Sequence, residues 1–159
     1  MNNSQGCKVV TMRRVLRYTY TAFRSPKKRS QRLTSKALHQ LLLSRWAAGT
    51  IDQQEVAKIL LLNSRRHLVG MIDLTKRTLA DFPSSPDFPE LPYLEDVSSM
   101  IVAYNSPTGS LWPDATDMEL AEKFLLFTCK SDIELQDQLI ISSKKYFSFR
   151  DKIFRWARP

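Results

Sequence analysis

The chain has 159 residues, 43% of them hydrophobic and 25% charged, with a net charge of +8. This is enough for one domain with a sizeable core, while no apolar run approaches a membrane span and no secretory signal is apparent. Two cysteines, Cys7 and Cys129, form no CxxC and no disulfide framework, so a reduced, cytoplasmic protein is expected.

The charge is unevenly placed. Residues 1–77 carry 16 Lys/Arg against 3 Asp/Glu, whereas residues 78–159 carry 8 against 13, and no acidic residue precedes Asp52. Such a field favours anionic partners, nucleic acid among them, with a strong dependence on salt. A well-solvated surface gives the same imbalance. An Arg-rich transit peptide would share this composition, but the same residues carry strand periodicity.

Residues 1–8 are expected to be disordered. From Val10 to Phe23 the pattern alternates, with Leu16, Tyr18, Tyr20 and Ala22 on one face and Arg17, Thr19 and Thr21 on the other. This is the signature of a half-exposed antiparallel strand. The basic loop that follows holds Lys27, Lys28, Arg29 and Arg32, enough cations to contact phosphates. An ordinary solvated loop looks the same.

Thr34 or Ser35 can cap a helix running to about Trp46, with Leu38, Leu41, Leu42 and Trp46 on one face and Gly49 beyond its end. The apolar run Val56–Leu62 reads as a central strand, Asn63–Arg66 as a turn, and His67–Ile72 as the returning strand of a hairpin. Between Phe82 and Pro92 four prolines exclude a regular helix, since an interior proline costs about 3 kcal/mol. A short helical turn can start at Pro92. Phe82, Phe88, Leu91, Tyr93 and Leu94 are expected to cap the core, although a mobile partner-binding segment fits the composition too.

A second buried strand, Met100–Ala103, leads to the loop Tyr104-Asn-Ser-Pro-Thr-Gly-Ser-Leu-Trp-Pro-Asp-Ala-Thr-Asp117. A helix is expected from Asp114 to about Lys130, its inner face formed by Met118, Ala121, Leu125 and Thr128 with Phe124 beside them, and Cys129 in the core. Leu135–Ser142 and Tyr146–Phe149 complete a second hairpin, followed by a basic, aromatic tail over residues 153–159. Asp114 and Asp117 have the spacing of a capping pair, in which a carboxylate satisfies free backbone N–H groups.

The loop from Tyr104 to Asp117 resembles the zinc-binding signature of the RadC group in the JAB/MPN (JAMM) metallopeptidase-like family. That family writes it as His-x-His-Pro-Ser-Gly, then Pro-Ser-x-x-Asp. Pro107, Gly109, Pro113 and Asp117 match; Tyr104 and Ser106 hold the two histidine places, and Asp114 holds the serine place. Thr34-Ser35-Lys36-Ala37-Leu38 and the run from Glu55 to Arg65 are similar to the family in order and spacing. So is Gln136–Arg150, where Asp137 matches and Gln138 stands at a family histidine. The similarity covers about residues 10–150, failing mainly in the proline segment.

The resemblance implies one domain over residues 9–152, an α/β (α+β) fold with a mixed, largely antiparallel sheet flanked by helices, in the cytidine-deaminase-like JAB/MPN architecture. It implies a zinc held by two histidines and an aspartate, whose bound water is acidified from a pKa of about 15.7 to about 7. A glutamate then moves the proton and a serine steadies the oxyanion. Carried over position by position, Glu55 is the general base and Asp117 the carboxylate ligand. Tyr104 needs deprotonation to ligate well, Ser106 is a poor zinc ligand, and a carboxylate at Asp114 repels an oxyanion.

The expectation is therefore a RadC-like protein, associated by family name with DNA repair, that holds no zinc and is not an enzyme. It would serve as a binding or scaffold module for DNA or a DNA-processing complex. Two alternatives stand beside it: a zinc-dependent peptide or isopeptide hydrolase with atypical ligands, and a nucleic-acid-binding module using Lys27, Lys28, Arg29 and Arg32.

Overall fold

The computed structural model describes residues 10–11 (main chain only), 18–24, 33–84 and 96–154. Residues 1–8, the basic loop with Lys27, Lys28, Arg29 and Arg32, the prolines from Pro86 to Pro92 and the end of the C-terminal tail lie outside the described residues.

Two stretches are apolar on both faces. Strands β3 (Ala57–Leu62) and β5 (Ser99–Asn105) are buried at every position, which is why neither shows polar alternation in sequence. They pair antiparallel at the centre of a seven-stranded sheet. The other strands are β1 (Val10–Thr11), β2 (Thr19–Ala22), β4 (Leu68–Leu74), β6 (Glu134–Ile141) and β7 (Tyr146–Ser148), in the order β1-β2-β4-β3-β5-β6-β7. Only β5 and β6 run parallel; every other pairing is antiparallel. The sheet is thus mixed and largely antiparallel, as expected.

The parallel pair needs a crossover, supplied by helix α3 (Ala115–Lys130). Phe124, Leu120 and Phe127 pack with Ile59, Leu61, Val102 and Ile140 on one face of the sheet. On the other face, helix α1 (Ser35–Arg45) presents Leu38 and Leu42, with Trp46 just beyond, to Leu60, Ile101, Leu139 and Ile141. The helix is capped by the Thr34 hydroxyl, which accepts from Ala37 N. No helix among the described residues is long and apolar enough to cross a membrane.

Several expectations are corrected. The single strand over Val10–Phe23 is two paired strands, β1 and β2, because the two arms of a hairpin alternate just as one strand does. The buried face of α3 is Asp117, Leu120, Ala121, Phe124 and Phe127; Met118 is exposed, and Leu125 and Thr128 are half-buried. Burying the two phenylalanines removes more apolar surface than burying Met118 and Thr128. Cys129 is exposed rather than in the core. Phe149 leaves the strand and opens a short helix, α4 (Phe149–Lys152), capped by the Ser148 hydroxyl.

No helix is expected from the sequence just before the proline segment. The structure has one, α2 (Lys76–Asp81), capped by Thr75 and followed by a 3-10 turn over Phe82–Ser84. Leu79 and Phe82 anchor it to the α3 face of the sheet.

Two polar clusters lie on the α1 side of the sheet, where Asp137 stands in register with Ile101 and Arg150 reaches Leu33 O and Ser35 Oγ. On the α1 face Lys58 of β3 pairs with Asp73 of β4 and lies over the Trp46 ring. At the β6–β7 edge, Asp137 is fully buried. It accepts from the Ser148 hydroxyl at 2.7 Å and from Arg150 N at 2.9 Å, with the Arg150 guanidinium at 3.9 Å. Burial dominates and pushes the Asp137 carboxyl up to about 6.

Candidate functional site

Strands β5 and β6 end together, and the segment leading into β3 lies beside them, since Tyr104 is in register with both Ala57 and Ile140. Tyr104 is the penultimate residue of β5, with its side chain in the core on the α3 face. The chain then leaves the sheet through a turn closed by Gly109 N to Ser106 O at 3.0 Å. Gly109 sits at φ +79°, a left-handed conformation that favours glycine.

Asp114 stops that loop and starts α3. Its Oδ1 accepts from Asp117 N at 2.9 Å, and its own N–H donates to Asp117 Oδ2 at 2.9 Å. This is a reciprocal capping box, with aspartate in the place where glutamate or glutamine is usual. The cap turns Asp117 inward, where only 4% of the residue is exposed.

There Asp117 Oδ1 accepts from the Tyr104 hydroxyl at 2.7 Å and faces Lys76 Nζ at 3.1 Å. Lys76, the first residue of α2, also lies over the Tyr104 ring, 4.6 Å from its centroid. Gln138 of β6 completes the group: its Nε2 donates to the Tyr104 hydroxyl and to Asp117 O, each at 3.2 Å. Its Oε1 is buried without a partner among the described residues. Four elements therefore meet at Asp117 and Tyr104: β5, α2 and α3 at the carboxylate, and β6 at the Tyr104 hydroxyl and the Asp117 main chain.

The electrostatics follow from this geometry. The Tyr104 hydroxyl is pushed well above the ordinary phenol range, first by burial and then by its hydrogen bond to Asp117. The Asp117 carboxyl is held below the usual carboxylate range. Burial opposes this, but hydrogen bonds from Asp114 N, Tyr104 and Lys76, with the Lys76 charge, outweigh it.

The remaining candidate positions stand apart from this group. Glu55 is exposed, two residues ahead of β3. The Ser106 hydroxyl lies 3.3 Å from that of Thr108. Asn105 acts as a structural clamp: its Oδ1 accepts from Val56 N at 2.7 Å, and its Nδ2 donates to Ile51 O and Gln54 O at 2.6 Å each. It fixes the segment carrying Glu55 at the same end of the sheet as Tyr104. Lys76 escaped sequence reading altogether. Its one local signal is a lysine at a helix start, where the backbone dipole disfavours a cation.

The zinc of the resembling family does not fit these residues. Tyr104 would have to lose the proton it donates to Asp117, against both burial and charge. Both Asp117 oxygens are already engaged, and Ser106 offers only a neutral hydroxyl. No three His, Cys, Asp or Glu side chains among the described residues are placed to hold a metal ion. Among the described residues the site is a hydrogen-bonded ion cluster of Tyr104, Asp117, Lys76 and Gln138.

Comparison with known proteins agrees with the architecture. The family model described as a RadC-like JAB domain matches residues 33–154. A UPF0758 protein of Clostridioides difficile is 30% identical over 105 residues, which cover 64% of this chain and 43% of the relative. One from Neisseria meningitidis serogroup B is 29% identical over 100 residues, covering 62% and 44%. One from Cyanothece is 30% identical over 104 residues, covering 65% and 43%. The chain belongs to the RadC-like JAB domain family, and it spans less than half the length of the curated relatives it matches.

Proposed function

We propose that this RadC-like JAB domain is a non-hydrolytic binding module. The observation that carries this reading is the engagement of the Asp117 carboxylate by Tyr104, Lys76 and Asp114 N. Hydrolysis in the manner the family resemblance implies needs an open metal position and a water made acidic by the metal. Here the position is filled by protein groups. A metal-free site would leave Glu55 without an activated water to deprotonate, and Asp114 is committed to capping α3.

The proposed partner is an anionic polymer, DNA or a DNA-bound assembly. It is supported by the excess of cations in residues 1–77 and by the run Lys27, Lys28, Arg29, Arg32. Binding of this kind rests on phosphate contacts, loses affinity steeply with salt and carries little base specificity.

Two measurements test the reading together. Fluorescence anisotropy with a short DNA duplex is expected to give affinity that falls linearly in log–log form with salt. Replacing Lys27, Lys28, Arg29 and Arg32 by glutamine should weaken binding and flatten that slope, and Glu55→Ala should leave it unchanged. Zinc-dependent cleavage of peptide or isopeptide substrates, abolished by Glu55→Ala, would instead establish the hydrolase.

A further inference from the structure

In the resembling family, position 104 and position 117 face a common metal cation. Here they face the ammonium of Lys76. Its Nζ is 3.1 Å from Asp117 Oδ1 and 4.6 Å from the centre of the Tyr104 ring. We infer that Lys76 takes the place of the family's metal ion as the cation around which β5, α2 and α3 are assembled. This rests on the metal-free reading of the site given above.

Three observations support the assignment. Asp117 is almost wholly withdrawn from water, and a buried carboxylate needs a compensating cation or several donors. Lys76 also sits where local helix energetics argue against it: α2 has no acidic residue in its first turn and opens with Lys76 and Arg77, cations at the positive end of the dipole. The tertiary contact with Asp117 explains a lysine at that point. Finally, the ring at position 104 accepts the cation through its face, while its hydroxyl is occupied with Asp117. Tyrosine thus serves the ammonium where an imidazole would serve a metal.

The substitution has a consequence for the fold. A metal held at positions 104, 106 and 117 would draw on β5, the loop after it and α3, whereas the lysine brings α2 into the site. A second tie runs the same way, from Lys123 Nζ of α3 to Ala80 O of α2 at 3.4 Å. Lys76 thereby anchors the start of the segment that leads into the proline-rich stretch.

The test is a double-mutant cycle of Lys76→Met and Asp117→Asn in the full chain, by urea unfolding in zinc-free buffer with a chelator. Methionine keeps the apolar stem and removes the charge. Lys76→Met is expected to lower the folding equilibrium constant about tenfold or more, because it strands a buried carboxylate. In the Asp117→Asn background the same change should lower it by no more than about threefold. Equal losses in the two backgrounds would overturn the assignment, leaving Lys76 a packing residue. If Lys76→Met alone gives no cooperative transition, a recovered transition in the double variant supports the assignment, and failure to recover contradicts it. Zinc retention by the wild-type protein would sink the non-hydrolytic reading, whereas additivity in chelator would sink the role of Lys76.

Discussion

Replacing Tyr104 by phenylalanine removes one oxygen atom from the centre of the cluster and nothing else. The ring keeps its packing against the core and its face toward Lys76, so no cavity opens. What disappears is a donor to a carboxylate at 2.7 Å and an acceptor for Gln138 at 3.2 Å. A hydrogen bond to a charged group contributes about 1.5–3 kcal/mol. Gln138 keeps its bond to Asp117 O, and Lys76 still faces Asp117 Oδ1, so the lower half of that range applies. The expected loss is about 2 kcal/mol, or about 4–8 °C in Tm for a chain of this size. Urea unfolding followed by far-UV circular dichroism measures it, with an unchanged m-value showing that the native state is still compact. A variant as stable as the wild type within about 0.5 kcal/mol would refute the reasoning, because the hydroxyl would then contribute no more than the water it displaced.

Three further outcomes are expected. The folded state holds the Asp137 proton better than the unfolded chain does, since its carboxyl is pushed up to about 6. The neutral acid therefore adds stability below pH ~4 that is lost as pH rises through about 6, amounting to about 1–3 kcal/mol. Asp137→Asn should erase that decline, and the difference between the two pH–stability curves is the measurement. Asn105→Ala removes three hydrogen bonds from a buried position and should lower stability by about 3 kcal/mol. Amide exchange should then show the Val56 N–H losing protection ahead of the sheet. Glu55→Ala, at an exposed position, should change stability by less than about 0.5 kcal/mol in thermal unfolding.

How legible the molecule is from its sequence depends on how local each signal is. The central strands announce themselves as apolar runs because both of their faces are covered. The start of α3 is legible for the same local reason: Asp114 and Asp117 are three apart, and a capping box needs nothing beyond that spacing. The inner face of α3 is not, because Phe124 and Leu125 both continue an apolar stripe, and the choice depends on what the sheet offers. The break between β1 and β2 is hidden by unbroken alternation.

At the site, the replaced histidine places are visible in the sequence, but what replaced their chemistry is not. Tyr104 reads as a poor metal ligand, yet nothing local says that its hydroxyl is bonded to Asp117. Gln138 reads only as a departure from the family's histidine. Lys76 lies far from Tyr104 and Asp117 in the chain, at the head of a six-residue helix without apolar periodicity. Only the folding of β4 alongside β3 delivers it to the carboxylate.

The central claim is that protein groups fill the place where the family resemblance puts a metal, and metal content tests it most directly. The purified, untagged protein would be incubated with zinc, dialysed extensively and analysed for zinc per chain. A content near zero, unchanged in Asp117→Ala, is expected. About one zinc per chain, lost in Asp117→Ala, would contradict it and make the domain a metal-binding member of its family with unusual ligands.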